Sequence, residues 1–359
     1  MNKRKRNTVI LFFIVIVLAV ILVIINNRSM RGSSIVHKFA VSDTASITKI
    51  HLADKDGNSV LLERISQADW RLNGQYKASK PMIESLLSTA YNVEVQGVLQ
   101  EAARETAIKR MAAKHNKIEI YQSAPKFKIF GIKFFIKERV TKSYYVGDAT
   151  QDNVGTYMQL EGDDDVDITF VPGQNAFLTL RYSAREKDWR DHTIIAQTIN
   201  DIKAVEVEIP DKPEESYVIE KIEERRYALT TKDGSSLSFD VDTFRILDFV
   251  SSFRKLNYEG LLNDLSPHKL DSILSTTPMF IITVTTNTDE EIKLKMFRRK
   301  SPYVRVDEVT GDELYWDLDR LYVLFNNGKD FALCQYFTFD KILRPLSWYD
   351  KENREMDYY

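Results

Sequence analysis

The chain lacks most of what usually marks an enzyme or a secreted disulfide scaffold. Its single cysteine, Cys334, excludes an intrachain disulfide framework. In VLFNNGKDFALCQYF it reads as a small buried strand residue. Only 13 glycines and 9 prolines occur in 359 residues, too few for a disordered chain. No Gly-x-Ser-x-Gly elbow, phosphate-binding glycine loop or dinucleotide fingerprint is present. The five histidines form no H-E-x-x-H, and none stands at metal-ligand spacing from another His or Cys. A net charge of −2 hides an asymmetry: residues 1–31 hold six Lys/Arg and no acid, which leaves 44 basic against 52 acidic residues beyond them. That mildly acidic body argues against nucleic-acid binding, which needs a basic surface.

What is present begins with MNKRKRNTVILFFIVIVLAVILVIINNRSMRG. Lys3 to Arg6 precede 17 uninterrupted apolar residues, Val9 to Ile25, the lower limit for a bilayer-crossing helix. The pattern predicts an uncleaved signal anchor over 8–25. Asn26-Asn27-Arg28 makes a poor cleavage site, and no lipobox cysteine is present. The positive-inside bias places the N-terminus in the cytoplasm and the body outside it. A bacterial inner-membrane, single-pass protein is expected.

Beyond a tether at 32–46, the chain says nearly the same thing twice. Ile47, Ile50 and Leu52 match Ile202, Val205 and Val207 at an offset of 155, and Trp70 and Leu72 match Tyr227 and Leu229 at 157. The helix face Ile83, Leu86, Leu87 matches Ile246, Phe249, Val250 at 163, an offset that continues through Gly97/Gly260, Leu99/Leu262 and Ile118/Ile281. More loosely, YMQLEGDDDVDITF matches YVRVDEVTGDELYW, and WRDHTII matches FTFDKIL. Strands arriving in hairpins predict antiparallel pairing. The fold class expected is α+β: two duplicated modules of antiparallel sheet plus packed helices, at 47–200 and 201–345, preceded by one transmembrane helix. The period is too long for a solenoid. A polar and aromatic tail, 346–359, follows.

Several short motifs carry a family resemblance: Trp70-Arg71-Leu72, Val146-Gly147-Asp148, Gly155-Thr156-Tyr157 and Arg190-Asp191. With these the chain resembles the DUF4340 family over most of 47–200. The likeness weakens beyond Ile209, where Tyr227-Ala228-Leu229 replaces Trp-Arg-Leu. It implies a bacterial envelope protein with one membrane-spanning helix, sometimes encoded beside ABC-type transport components. It brings no catalytic residues.

Three clusters invite a functional reading. Arg190, Asp191 and His192 suit an acid/base site, but Asp191 equally suits capping a helix over TIIAQTI, and Arg190 pairing with Glu186. Asp163, Asp164, Asp165 and Asp167 evoke calcium, yet lack the central Gly and final Glu of an EF-hand loop. Residues 125–142 interleave Lys with Phe and Ile as a strand pair, offering contact with an anionic membrane surface on one basic face. His51, alternating with Ile50 and Leu52, should face the wet side of a sheet.

The favoured reading is a membrane-anchored extracytoplasmic binding or scaffold protein, accessory to an ABC-type envelope transport system. Its expected partners are the bilayer through 8–25 and an envelope or transporter protein. No catalytic residue, cofactor or metal is expected. The alternative is a membrane-anchored hydrolase acting on an envelope polymer.

Overall fold

The structure, a computed structural model, describes residues 35–353 apart from 100, 130, 131, 175, 308 and 309. The chain divides into two compact units at Asp191/His192.

In the first unit a hairpin of β1 (Ile47–Asp54) and β2 (Ser59–Arg64) leads to β3 (Trp70–Leu72) and β4 (Tyr76–Lys77). Helix α1 (Lys80–Asn92), β5 (Glu94–Val98) and helix α2 (Glu101–Ala113) follow. Strands β6 (Asn116–Ile129), β7 (Ile132–Ala149), β8 (Thr156–Leu160) and β9 (Val166–Phe170) complete a nine-stranded antiparallel sheet of order β4-β3-β2-β1-β6-β7-β8-β9-β5. Period-two alternation sets which face is buried: Ile50 and Leu52 of β1 point into the core with Val60, Leu62, Ile118 and Ile120. Pro81 sits in the first turn of α1, where its missing N–H costs nothing, and Ile83, Leu86 and Ala90 form the buried stripe. Each such Leu or Ile contributes about 1.5–3 kcal/mol by leaving water.

The second unit contains β10 (Thr193–Ile195), β11 (Ile202–Glu208), β12 (Tyr217–Glu223) and β13 (Arg226–Thr231). Helix α3 (Thr243–Ser251), β14 (Leu256–Asn257), β15 (Gly260–Leu261) and helix α4 (Pro267–Leu274) come next. Strands β16 (Phe280–Thr286), β17 (Glu291–Val306), β18 (Glu313–Phe325) and β19 (Asp330–Gln335) are followed by the short helix α5 (Tyr336–Phe339). The larger sheet runs β13-β12-β11-β16-β17-β18-β19-β15. Apart from β4, this is the first unit's order strand for strand. The registers agree too: Ile50 faces Leu62 and Ile120, as Val205 faces Ile219 and Val284. Helix α3 is capped by Asp242, whose carboxylate accepts from the amides of Phe244 and Arg245.

The structure corrects the sequence reading in four places. Ile118 corresponds to Ile282, not Ile281: both lie opposite the equivalent residues Leu52 and Val207, and both are buried, whereas Ile281 is only half-buried. A one-residue slip in a strand moves every side chain to the other face. The loose match of 157–160 to 303–306 also fails, because β8 has the position of β18, while 303–306 belong to β17. Residues 193–195 form the strand β10 paired with β14, not a helix for Asp191 to cap. Thr193, Ile194 and Ile195 are all β-branched, which favours that outcome.

The fourth correction concerns the membrane. No helix among the described residues is long and apolar enough to cross a bilayer. The two longest, α1 and α2, have 13 residues each, against the ~20 a span needs. The predicted signal anchor and transmembrane helix, 8–25, lies outside the described residues. The fold class therefore stands as two large antiparallel sheets with packed helices. The bilayer contact through 8–25, the single-pass topology and the inner-membrane location with a cytoplasmic N-terminus are not carried forward.

Candidate functional site

The first unit contains a cleft of about 500 Å³ between α2 and the β7–β8 turn. Its construction follows from three sequence features. Helix α2 buries Ala107 and Met111 in a small cluster with Val166, which leaves the stripe Ala103, Thr106, Arg110 turned to the cleft. Gly147 and Gly155 then permit close packing: a Cβ at Gly155 would lie 2.5 Å from Cγ2 of Ile168, and one at Gly147 would collide with Sδ of Met111. Finally, Thr150 closes the turn. Its amide donates to the Gly155 carbonyl and its hydroxyl accepts from the Gly155 amide, both at 2.9 Å.

Asp152 is fixed at the rim. Its carboxylate accepts from the Thr150 hydroxyl at 2.5 Å and from the Val154 amide at 3.2 Å. Those two bonds hold its carboxyl below the usual aspartate range. Gln96, Gln151, Tyr157 and Ile168 complete the lining. Among the described residues, the side chains of Gln96, Thr106, Arg110 and Gln151 have no hydrogen-bond or ion-pair partner. A cation, two amides and a hydroxyl thus line one cleft, all four on solvent-exposed side chains, with the half-buried Tyr157 and Ile168 beside them. Among the described residues, the cleft lining holds no histidine, cysteine or lysine. Such a set can grip an anionic, hydroxyl-bearing molecule.

Residues 70–272 match the family described as Domain of unknown function (DUF4340). The chain belongs to the DUF4340 family. The match starts at β3 and ends in α4, further along than the 47–200 read from the sequence. No curated protein and no solved structure matches. Several residues of the short motifs noted in the sequence lie at or near the cleft: Gly147 packs against Met111, Gly155 against Ile168, and Tyr157 is in the lining. Sequence reasoning noticed these motifs but missed Arg110, whose signal was the i, i+3, i+7 stripe on α2.

The clusters singled out from sequence lie elsewhere. Asp163 and Asp167 both bond the ammonium of Lys38 at 2.7 Å, and Asp165 pairs with Arg104 at 2.7 Å. The protein's own cations occupy the acidic turn, and among the described residues no group of His, Cys, Asp or Glu could hold a metal ion. Arg190 lies over the Tyr76 ring at 3.8 Å, and Glu186 accepts from Asn73 instead. The Asp191 amide bonds the Lys77 carbonyl, while the His192 ring stacks on Tyr258 at 4.7 Å. His51 stands on the wet face between Glu119 and Ser59. Burial pushes the Cys334 thiol far up, which leaves it inert.

Three functional expectations are corrected here. The membrane-anchored binding or scaffold protein and the membrane-anchored hydrolase both required a spanning helix that the described residues do not contain. No comparison or contact points to an envelope or transporter partner. The basic face at 125–142 is interrupted where its side chains are described. Glu138 pairs with Lys49 at 3.0 Å, and Lys142 donates to the Lys38 carbonyl at 2.6 Å, its pKa lowered by burial.

Proposed function

We propose that this DUF4340 protein binds a small polar ligand and performs no chemistry on it. The ligand carries a carboxylate or phosphate and one or more hydroxyls, and it enters the cleft between α2 and the β7–β8 turn. The observation that carries this reading is the exposed Arg110 guanidinium, which has no ion-pair partner among the described residues and lines one cleft with Gln96, Thr106 and Gln151. A charge-assisted bond from Arg110 is worth about 1.5–3 kcal/mol. Tyr157 lines the same cleft, and Asp152 can accept a hydrogen bond from a ligand hydroxyl.

The test is calorimetric titration of the full chain with citrate, gluconate, glucose-6-phosphate and inorganic phosphate. At least one should bind, and Arg110→Ala should weaken it by roughly 10–100-fold. Equal binding by both proteins, or none by either, would sink the reading.

A further inference from the structure

The outer half of the β17–β18 hairpin leaves its sheet. β17 pairs with β16 only as far as Met296, and β18 pairs with β19 only from Arg320 onward. Among the described residues of this unit, 299–306 and 313–319 therefore have only each other as strand neighbours. A two-stranded ribbon is marginal in water. This one also exposes Tyr303, Val304, Tyr315 and Leu318, each by more than half: 74%, 79%, 58% and 57%. Its two edges differ. The β17 side is blunted by Pro302, which lacks an N–H, and by a register shift between Lys300 and Arg305. On β18 the other shift falls between Trp316 and Leu321, which leaves Glu313 to Trp316 as its regular open edge.

The charges sort along the ribbon. At its base Arg298 lies 5.8 Å from the Trp316 ring and Lys300 lies 5.0 Å from the Tyr315 ring. Neither has a carboxylate partner among the described residues, whereas Arg299 pairs with Asp317 and Arg305 with Asp319. Toward its tip Asp312 and Glu313 are exposed and have no cationic partner among the described residues. The ribbon is thus cationic at the base and anionic at the tip. Laid antiparallel, two such ribbons set each tip on the other's base; laid parallel, they set like on like.

We propose that the chain forms a two-fold dimer in which β18 of one copy pairs antiparallel with β18 of another. The axis passes near Tyr315, so that Glu313 of each copy reaches the Lys300 region of its mate. A two-fold interface makes every such contact twice. The dimer covers the exposed aromatic and aliphatic side chains and fills the open edge.

Sedimentation equilibrium of the full chain tests this first, with twice the monomer mass expected. Lys300→Glu and Glu313→Lys should each weaken dimerisation about tenfold, and the double variant should recover most of that loss. In a Tyr315→Cys variant, mild oxidation should give a disulfide-linked dimer. Phe244→Cys, more exposed but on α3, should not; the buried native Cys334 stays silent in both. A monomer at about 50 µM, a double variant as weak as the singles, or equal cross-linking at residue 244 would overturn the proposal. Pairing of the ribbon with a different protein would show as the monomer outcome.

Discussion

The ammonium of Lys38 lies 2.7 Å from the carboxylate of Asp167, across 129 positions of sequence, and Asp167 is 3% exposed. Asp163 bonds the same ammonium. Together they tie the segment before β1 to the β8–β9 turn. Lys38→Met leaves Asp167 buried without its counter-ion, and should cost about 2–3 kcal/mol in urea denaturation. Asp163→Asn, at a more exposed carboxylate, should cost less than about 1 kcal/mol.

The same triad sets a pH window. The Lys38 hydrogen bond, helped by the Asp165 amide, holds the Asp163 carboxyl below its ordinary 3.8. Its contribution is full above that value and is lost as pH falls through the lower folded pKa. Burial alone would lower the Lys38 pKa, but hydrogen bonds to Asp163 and Asp167 outweigh it and raise it above 10.5. That contribution is full below 10.5 and is lost as pH climbs through the raised pKa. The stability gap between wild type and Lys38→Met should therefore be flat from about pH 5 to 9 and close at both extremes. Thermal melts across that range would read it.

The two cleft glycines should rank in a fixed order. At Gly155 a methyl meets the stiff, β-branched Ile168, while at Gly147 it meets the far end of flexible Met111. Gly155→Ala should cost about 1–3 kcal/mol, with Gly147→Ala toward the lower end. Chemical denaturation of the pair checks the order.

Tyr217 and Tyr349 share a hydrogen bond of 3.0 Å inside the second core, and Tyr217 also donates to the Arg344 carbonyl at 3.1 Å. Tyr217→Phe keeps the ring and removes both bonds. A loss of about 1–2 kcal/mol by urea denaturation is expected.

How much of this was legible in the sequence depends on the kind of signal. The offsets at Ile50/Val205, Trp70/Tyr227 and Ile83/Ile246 coincide with equivalent positions, because buried stripes in strands and amphipathic helices leave a strong periodic imprint. The strand 280–286 was harder. Phe280, Ile281 and Ile282 are consecutive apolar residues, so periodicity alone did not fix its register against Ile118. The tail 346–359 read as polar and aromatic, yet Leu346, Trp348 and Tyr349 are buried in the second core. Their partners lie far back in the chain, beyond any local pattern. The cleft was the least visible feature. Arg110, Asp152 and Gln96 are ordinary surface residues until the topology brings them to one place.

The sheet order has a consequence for the chain as it is made. β5 lies at the sheet edge against β9, with Glu94 opposite Phe170, and β15 stands likewise against β19, Gly260 opposite Leu333. Each edge strand leaves the ribosome some seventy residues before its mate. At typical synthesis rates of ~5–20 residues per second, that is a wait of roughly 4–14 s. Twice during its synthesis the nascent polypeptide carries an orphan strand that nothing already made can receive, and those two intervals are when chaperones and proteases have their opening.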